Sequence, residues 1–349
     1  MKPLFDCELQ YFSSPHLYQI YTGFEKLRQQ GIVNISIKPA LGNIAKPVLT
    51  VIINNKQKVI YDTLDGFNWI DDTELNNLKY FKNNFQADFY FKRSYNKLAE
   101  EYCPANCRIY PLGLNYPVKP ENKIFSGSLE VVKDIIRTNR IYSSFYNTNY
   151  MRASDLEFYP LPQKQNKILL IERLWNPLET GLEHLKIERE RINQNRINYI
   201  KACKKEFGKY FLGGLLADDF SLKTAKELVL PSTITKKEYF VKAVKEHNIC
   251  IATNGLHNSI VWKLGEYVAA SRSIISEQLN YYVPGGFESG KNYYAYKDEM
   301  ELLDKTNSLL ENKDKIFEMM NNNFLYYNNY LKPDRLVLNT LLKISMDII

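Results

Sequence analysis

Cys250 to Lys291 reads CIATNGLHNSIVWKLGEYVAASRSIISEQLNYYVPGGFESGK. A short apolar run leads into a polar turn around Gly255. An amphipathic segment follows, then a second apolar run and a glycine-rich loop. That order predicts strand, turn, helix, strand, loop. Ile260, Leu264, Tyr267 and Val268 fall at i, i+4, i+7 and i+8 and form one apolar helical face. Ser259, Lys263, Glu266 and Ala270 form another. Asn258 and Ser259 are good N-cap residues, so the helix is expected to start there. Its free N–H groups and positive dipole end would then lie beside His257, with Lys263 about one turn in. Such an end is suited to a diphosphate.

Working outward, Lys167–Ile171 is the next apolar run upstream, and Arg173 ends it. Between the two runs, residues 187–207 carry a long helical pattern closed by Gly208. Its Ile192, Arg196, Tyr199, Ile200, Cys203 and Phe207 share a face. Its Arg189, Glu190, Arg191 and Arg196 are expected to form a solvated, ion-paired surface. Tyr210–Leu212 is a strand into Gly213-Gly214, which lacks the GxGxxG spacing of a dinucleotide site. A helix is expected from Thr235 to about His247.

The N-terminal half repeats the alternation of strands and helices. It has a strand over 1–12, a helix from His16 to about Gln30 and a strand at Val33–Ile37. Strands at Val48–Ile53 and Val59–Tyr61 flank Asn54-Asn55. A helix at 72–83 and strands at 87–91 and 108–112 follow, then a helix at 127–140. Asp62 and Asp65 fall at a strand end, where α/β sheets collect ligands, and are held as acceptor-site candidates, although capping of a turn or of the next helix is the simpler explanation. Lys92 and Arg93 end the next strand and read as exposed loop cations. Tyr159–Asn166 is proline-containing, polar and aperiodic, which marks an interdomain linker. Helices over 298–312 and 313–330 close the chain with a last one from Leu336 to Ile348, after a break at Pro333. Two alternations flanking a linker predict two α/β domains.

Composition narrows the class. The chain has 349 residues, enough for two domains, and its 45% hydrophobic content supports two cores. The net charge of +7 comes without any block of five basic residues, which argues against a nucleic-acid footprint. It suits an anionic substrate or a membrane surface. Five cysteines show no framework or zinc spacing and read as free thiols. MKPLFDCELQ lacks the apolar core of a signal peptide, and no run is long enough to span a bilayer. The expected location is cytoplasmic, with peripheral contact at the inner membrane face left open.

The motifs Gly255-Leu256-His257, Lys263-x-x-Glu266-Tyr267, Arg272-Ser273-Ile274-Ile275 and Pro284-Gly285-Gly286 resemble the donor half of GT-B glycosyltransferases. These carry a "glycosyl transferases group 1" C-terminal domain. The resemblance implies an α/β fold with two Rossmann-like domains facing across a cleft. Residues 1–160 would form the acceptor-side domain and 161–331 the donor domain. Residues 332–349 would be a terminal helix crossing back to the first. It implies that Glu266 holds the ribose of a nucleotide sugar and that Arg173 contacts the diphosphate. Gly255, His257, Asn258, Ser259 and Lys263 complete the donor set, and Thr235 and Lys236 lie in the nucleobase region. The family often has a Glu eight positions before Glu266, where this chain has Asn258.

No Asp-x-Asp occurs in the chain, so transfer without metal or other cofactor is expected, with fixed cations and helix dipoles stabilising the leaving diphosphate. Asp65 and His16 are the candidates for a base on the acceptor side, and stereochemistry stays open. Lys263 and Glu266, three apart on one helix, could instead pair with each other. The implied partners are a nucleotide-sugar donor and a glycan, glycolipid or protein acceptor in bacterial surface polysaccharide, glycolipid or glycoprotein assembly. A sugar-nucleotide epimerase and a non-catalytic partner subunit are the competing readings.

Overall fold

A computed structural model describes residues 3–40, 46–118 and 151–348. The helix expected over 127–140 lies outside these residues. The chain divides into two compact units. Unit 1 comprises Met1–Ser154, Tyr281–Gly285 and Asn328–Ile349, and unit 2 comprises Asp155–Asn280 and Gly286–Tyr327. Both are α/β units with parallel-rich sheets.

Unit 1 begins with β1 (Phe5–Tyr11), α1 (Tyr18–Gln29), β2 (Val33–Pro39), β3 (Val48–Ile53) and β4 (Gln57–Asp62). Next come α2 (Glu74–Asn84), β5 (Phe89–Lys92), α3 (Lys97–Glu101) and β6 (Arg108–Pro111). The sheet order is β2-β1-β3-β4-β5-β6. β1 is parallel to β2, and β4, β5 and β6 are parallel to one another. β3 runs antiparallel to both its neighbours. The β3–β4 hairpin turns on Asn54 (φ 53°) and Asn55 (φ 55°). Both lie in the left-handed region that tight hairpins require and that asparagine tolerates. Alternation of apolar residues buries Val51, Ile53, Val59 and Tyr61 against Ile20, Phe24 and Leu27 of α1.

Unit 2 has β7 (Ile168–Glu172), α4 (Glu183–Phe207), β8 (Phe211–Leu215), α5 (Asp219–Thr224), α6 (Ser232–Thr235) and α7 (Lys237–Glu246). It continues with β9 (Ile249–Ala252), α8 (Trp262–Ala269), β10 (Ser273–Glu277), β11 (Tyr294–Tyr296), α9 (Glu299–Glu311) and α10 (Lys313–Tyr326). Its sheet runs β11-β10-β9-β7-β8 with every pairing parallel. Fully buried runs such as Ile168–Ile171 and Ile249–Ala252 are what a sheet covered on both faces requires. Arg272 is buried at the start of β10. It donates to the carbonyls of Ala270, at 2.7 Å, and Tyr159, at 2.6 Å, which fixes the segment entering the unit.

The last helix, α11 (Pro333–Ile348), belongs to unit 1 and packs along α1. Leu336, Val337, Leu341 and Ile344 enter the unit 1 core. Pro333 does not only end what precedes it. It is the first residue of α11, a position where its fixed φ favours a helix and its missing N–H costs nothing. The close approach depends on Gly23. A Cβ there would stand 2.2 Å from the Pro333 carbonyl oxygen and 2.5 Å from Val337 Cγ2.

Candidate functional site

In unit 2, Arg173, Gly255 to Ser259 and Lys263 lie at the carboxyl ends of β7 and β9, where open parallel sheets bind ligands, whereas Glu266, Thr235 and Lys236 lie along helices α6 to α8. β9 exits through Thr253 and Asn254 into Gly255. The chain then makes a 3-10 turn over Leu256–Asn258. His257 (φ 59°) and Asn258 (φ 52°) both adopt left-handed backbone. That conformation is uncommon outside glycine and persists only where surroundings fix it. Here the Gly255 N–H donates to the Ser259 carbonyl at 2.8 Å, and the Asn258 N–H donates to Glu188 Oε1 at 3.2 Å. Ser259 is buried. A Cβ on Gly255 would meet its Oγ at 2.6 Å, so any larger residue there would have to displace the Ser259 side chain.

This turn corrects the expected helix start. α8 begins at Trp262, with Val261 at its N-cap and no side-chain cap, three to four residues later than Asn258 or Ser259. Asn258 does not cap a helix. Its Oδ1 faces Arg191 Nη2 at 3.4 Å.

Lys263 and Glu266 do not pair with each other. Lys263 Nζ donates to Glu172 Oε2 at 2.7 Å and also hydrogen-bonds the Ile171 carbonyl, which places a cation at the exit of β7. Burial pushes the Lys263 ammonium below its usual range, against the opposing pull of Glu172. Glu266, 3% exposed, pairs with Lys237 at the start of α7. The neighbouring Thr235 hydroxyl donates to the Ser232 carbonyl at 3.2 Å, closing α6. Lys236 is exposed at the N-cap of α7.

Arg173, just past β7, is exposed, with its guanidinium 4.1 Å from the centre of the Trp175 ring. The loop that carries it is held from α4. Asn193 donates to the Trp175 carbonyl at 2.7 Å and accepts from the Trp175 N–H at 2.8 Å.

The residue that ties the site together is Arg196. It is 2% exposed and belongs to the buried face of α4, so it is no part of a solvated surface. Its Nη1 donates to the Arg173 carbonyl at 2.7 Å, its Nη2 to the Asn254 carbonyl at 3.0 Å and its Nε to Thr253 Oγ1 at 2.9 Å. Nε also lies 3.5 Å from Glu172. One planar guanidinium thus joins the exits of β7 and β9. Its sequence signal was its spacing, i+4 from Ile192 and three to four before Tyr199 and Ile200, which outweighs its charge. Glu172, Lys237 and Glu277 also belong to the arrangement and were not among the sequence candidates.

Unit 1 has its own cluster at the ends of β4 and β5. Asp62 is fully buried and accepts from Lys92 Nζ at 3.2 Å, Trp69 Nε1 at 2.8 Å, Tyr90 at 2.5 Å and the Leu64 N–H at 2.9 Å. Lys92 and Arg93 are buried and ion-paired, not exposed loop cations. Lys92 pairs with Asp62, and Arg93 pairs with the half-buried Asp65. His16 lies near this pair. Burial lowers its pKa, with Asp65 opposing and Arg93 adding to the effect. The structure therefore brings His16, Asp65 and Arg93 to one place.

Among the described residues no group of three or more His, Cys, Asp or Glu side chains is placed to hold a metal ion. No described helix is long and apolar enough to cross a membrane.

No protein-family model and no curated protein matches the chain. Solved structures do resemble it. HepE from Anabaena in complex with UDP is 11% identical over 97% of this chain and 97% of its own, with a TM-score of 0.46. The S. aureus MnaA–UDP co-structure is 10% identical over 97% and 96%, with a TM-score of 0.42. The C-terminal domain of a glycosyl transferase group 1 family protein (LpcC) from Francisella tularensis is 14% identical, covering 50% of this chain and 95% of that one, with a TM-score of 0.35. Likenesses of this size do not place the chain in a family.

Proposed function

We propose that this protein is a glycosyltransferase that moves a sugar from a nucleotide-sugar donor to an acceptor hydroxyl without a metal ion. The observation that carries the reading is the cationic strand-exit cluster of unit 2. Arg173 and Lys263 stand at the end of β7, beside the glycine turn that precedes α8. Transfer breaks the bond between the anomeric carbon and the diphosphate oxygen and forms one to the acceptor oxygen. Charge develops on the departing diphosphate, and fixed cations and main-chain N–H groups aimed at it lower the barrier. Arg173 is free to swing from the Trp175 ring onto phosphate. Lys263 supplies a second positive charge, held in place by Glu172. Glu266 accepts ribose hydroxyls once Lys237 shares it.

On the acceptor side, His16 and Asp65 are the groups able to take the hydroxyl proton, with Arg93 paired to Asp65. The acceptor class we assign is a glycan, glycolipid or protein in bacterial surface polysaccharide, glycolipid or glycoprotein assembly, met in the cytoplasm.

The test is thermal stabilisation by UDP-, GDP-, TDP- and CMP-linked sugars, with and without a chelator. A donor held at a hundred times its dissociation constant adds about 2.7 kcal/mol. The expected result is stabilisation by one nucleotide class, insensitive to chelator and lost in Glu266→Ala. Stabilisation by none of them refutes the proposal, and a shift that disappears with chelator refutes its metal-independent form.

A further inference from the structure

Glu277 ends β10, next to the exit of β9, and the donor reading above gives it no role. Its carboxylate is fixed at both oxygens. Oε2 accepts from the Asn254 N–H at 2.6 Å, and Oε1 accepts from the Tyr199 hydroxyl of α4 at 3.1 Å. The adjoining strand exits are themselves joined, because Asn254 Nδ2 donates to the Gln278 carbonyl at 3.2 Å. The other acids of these strand ends and of α8 are neutralised by cations: Glu172 by Lys263 and Arg196, Glu266 by Lys237. Glu277 forms no ion pair with any described residue. Burial raises its carboxyl above the usual range, and the two neutral donors and the more distant Arg196 charge only partly oppose this. It remains half-buried, not sealed.

A carboxylate oxygen can accept two hydrogen bonds, so each oxygen of Glu277 keeps one acceptor position after its protein donor is counted. A preorganised carboxylate with no cation paired to it suits a neutral ligand that offers hydroxyl donors. It does not suit the phosphates that Arg173 and Lys263 would hold. We propose that Glu277 binds hydroxyl groups of the sugar carried by the nucleotide donor. The inference rests on the donor reading and adds to it a division of the site. Cations at the end of β7 take the diphosphate, and an anion at the end of β10 takes the sugar.

The experiment separates the two halves of the donor. Wild type, Glu277→Gln and Glu277→Ala are titrated by calorimetry with UDP, GDP and dTDP, and with UDP-glucose, GDP-mannose and dTDP-glucose. Glutamine keeps the shape, because its amide oxygen can accept from Asn254 and its NH2 can donate to Tyr199. This variant therefore guards against simple loss of fold. The expected result is a ten- to hundredfold loss of sugar-nucleotide affinity in Glu277→Ala, the range of a hydrogen bond to a charged group. Affinity for the matching nucleoside diphosphate stays unchanged, and Glu277→Gln falls in the same direction by less. Equal losses for diphosphate and sugar nucleotide, or no loss for either, overturn the inference while leaving the donor reading standing. Wild type that binds none of the six ligands, and neither CMP nor a CMP-linked sugar, overturns both.

Discussion

Replacing Arg196 by Met keeps a long side chain in the same space and removes the guanidinium donors that join the exits of β7 and β9. The Arg173 and Asn254 carbonyls and the Thr253 hydroxyl lose their partner at a site only 2% exposed. Each buried polar group left unsatisfied costs about 1–3 kcal/mol. Breaking an isolated buried ion pair would cost about 3–5 kcal/mol. Glu172 keeps Lys263 at 2.7 Å, so that charge is not stranded and its contribution is smaller. The buried methionine offsets about 1–2 kcal/mol through apolar burial. The expected net loss is about 3–5 kcal/mol, a large part of the stability of an ordinary domain. It should lower the melting temperature of unit 2 by about 10 °C. Differential scanning calorimetry reads this directly, with Lys201→Met, an exposed site on the same helix, as control. An Arg196→Met protein melting within about 2 °C of wild type would refute the staple. Arg196→Lys retains charge but not the fork and should recover less than half of the loss.

Two further outcomes follow from unit 1. Gly23→Ala puts a methyl group 2.2 Å from the Pro333 carbonyl oxygen, main chain that cannot swing away. The overpacking should exceed the gain in helix propensity of about 1 kcal/mol and destabilise by about 2 kcal/mol in urea unfolding. Stabilisation would show that α1 and α11 do not approach this closely. His16 titrates below its usual 6.5 because burial disfavours its charged form. The unfolded chain then binds more protons than the native one as pH falls below about 6.5, so stability drops over that range until the folded pKa is passed. His16→Asn should flatten stability against pH between about 6.5 and 5. An unchanged slope would assign the acid sensitivity to other groups.

Much of the architecture was legible because burial writes itself into periodicity. Ile168–Ile171 and Ile249–Ala252 are uninterrupted apolar runs, and each is a central parallel strand with both faces covered. The hairpin at Asn54-Asn55 was equally plain, since its residues match the backbone it needs. The start of α8 was not. Ile260 continues the apolar spacing of the helix, while extended backbone at Ser259 and Val261, following the left-handed His257 and Asn258, keeps the chain out of the helix until Trp262, which spacing does not report.

The ion pairs of the site were hidden for a different reason. Local spacing offers Lys263 a partner three residues away. Its actual partner Glu172 is 91 residues distant, and Glu266 finds Lys237, 29 residues back. Such partners are brought together by strand order, so no reading of neighbours along the chain reveals them. Charge misled at Arg196, Lys92 and Arg93, where burial is supported by paired carboxylates or carbonyls that lie far away in sequence.

The placement of α11 has a consequence for how the chain comes off the ribosome. Domains generally fold as they emerge, first the N-terminal one. Unit 1 cannot follow that schedule. The groove beside Gly23, Ile20 and Phe24 is filled by Leu336, Val337 and Leu341, which are made roughly two hundred residues after β6. At about 5–20 residues per second, this leaves an apolar surface uncovered for tens of seconds. Unit 2, drawn almost entirely from the intervening stretch, is complete before α11 is. The first unit to be synthesised is thus the last to finish folding, and during that interval it is the part of the nascent chain that chaperones have reason to hold.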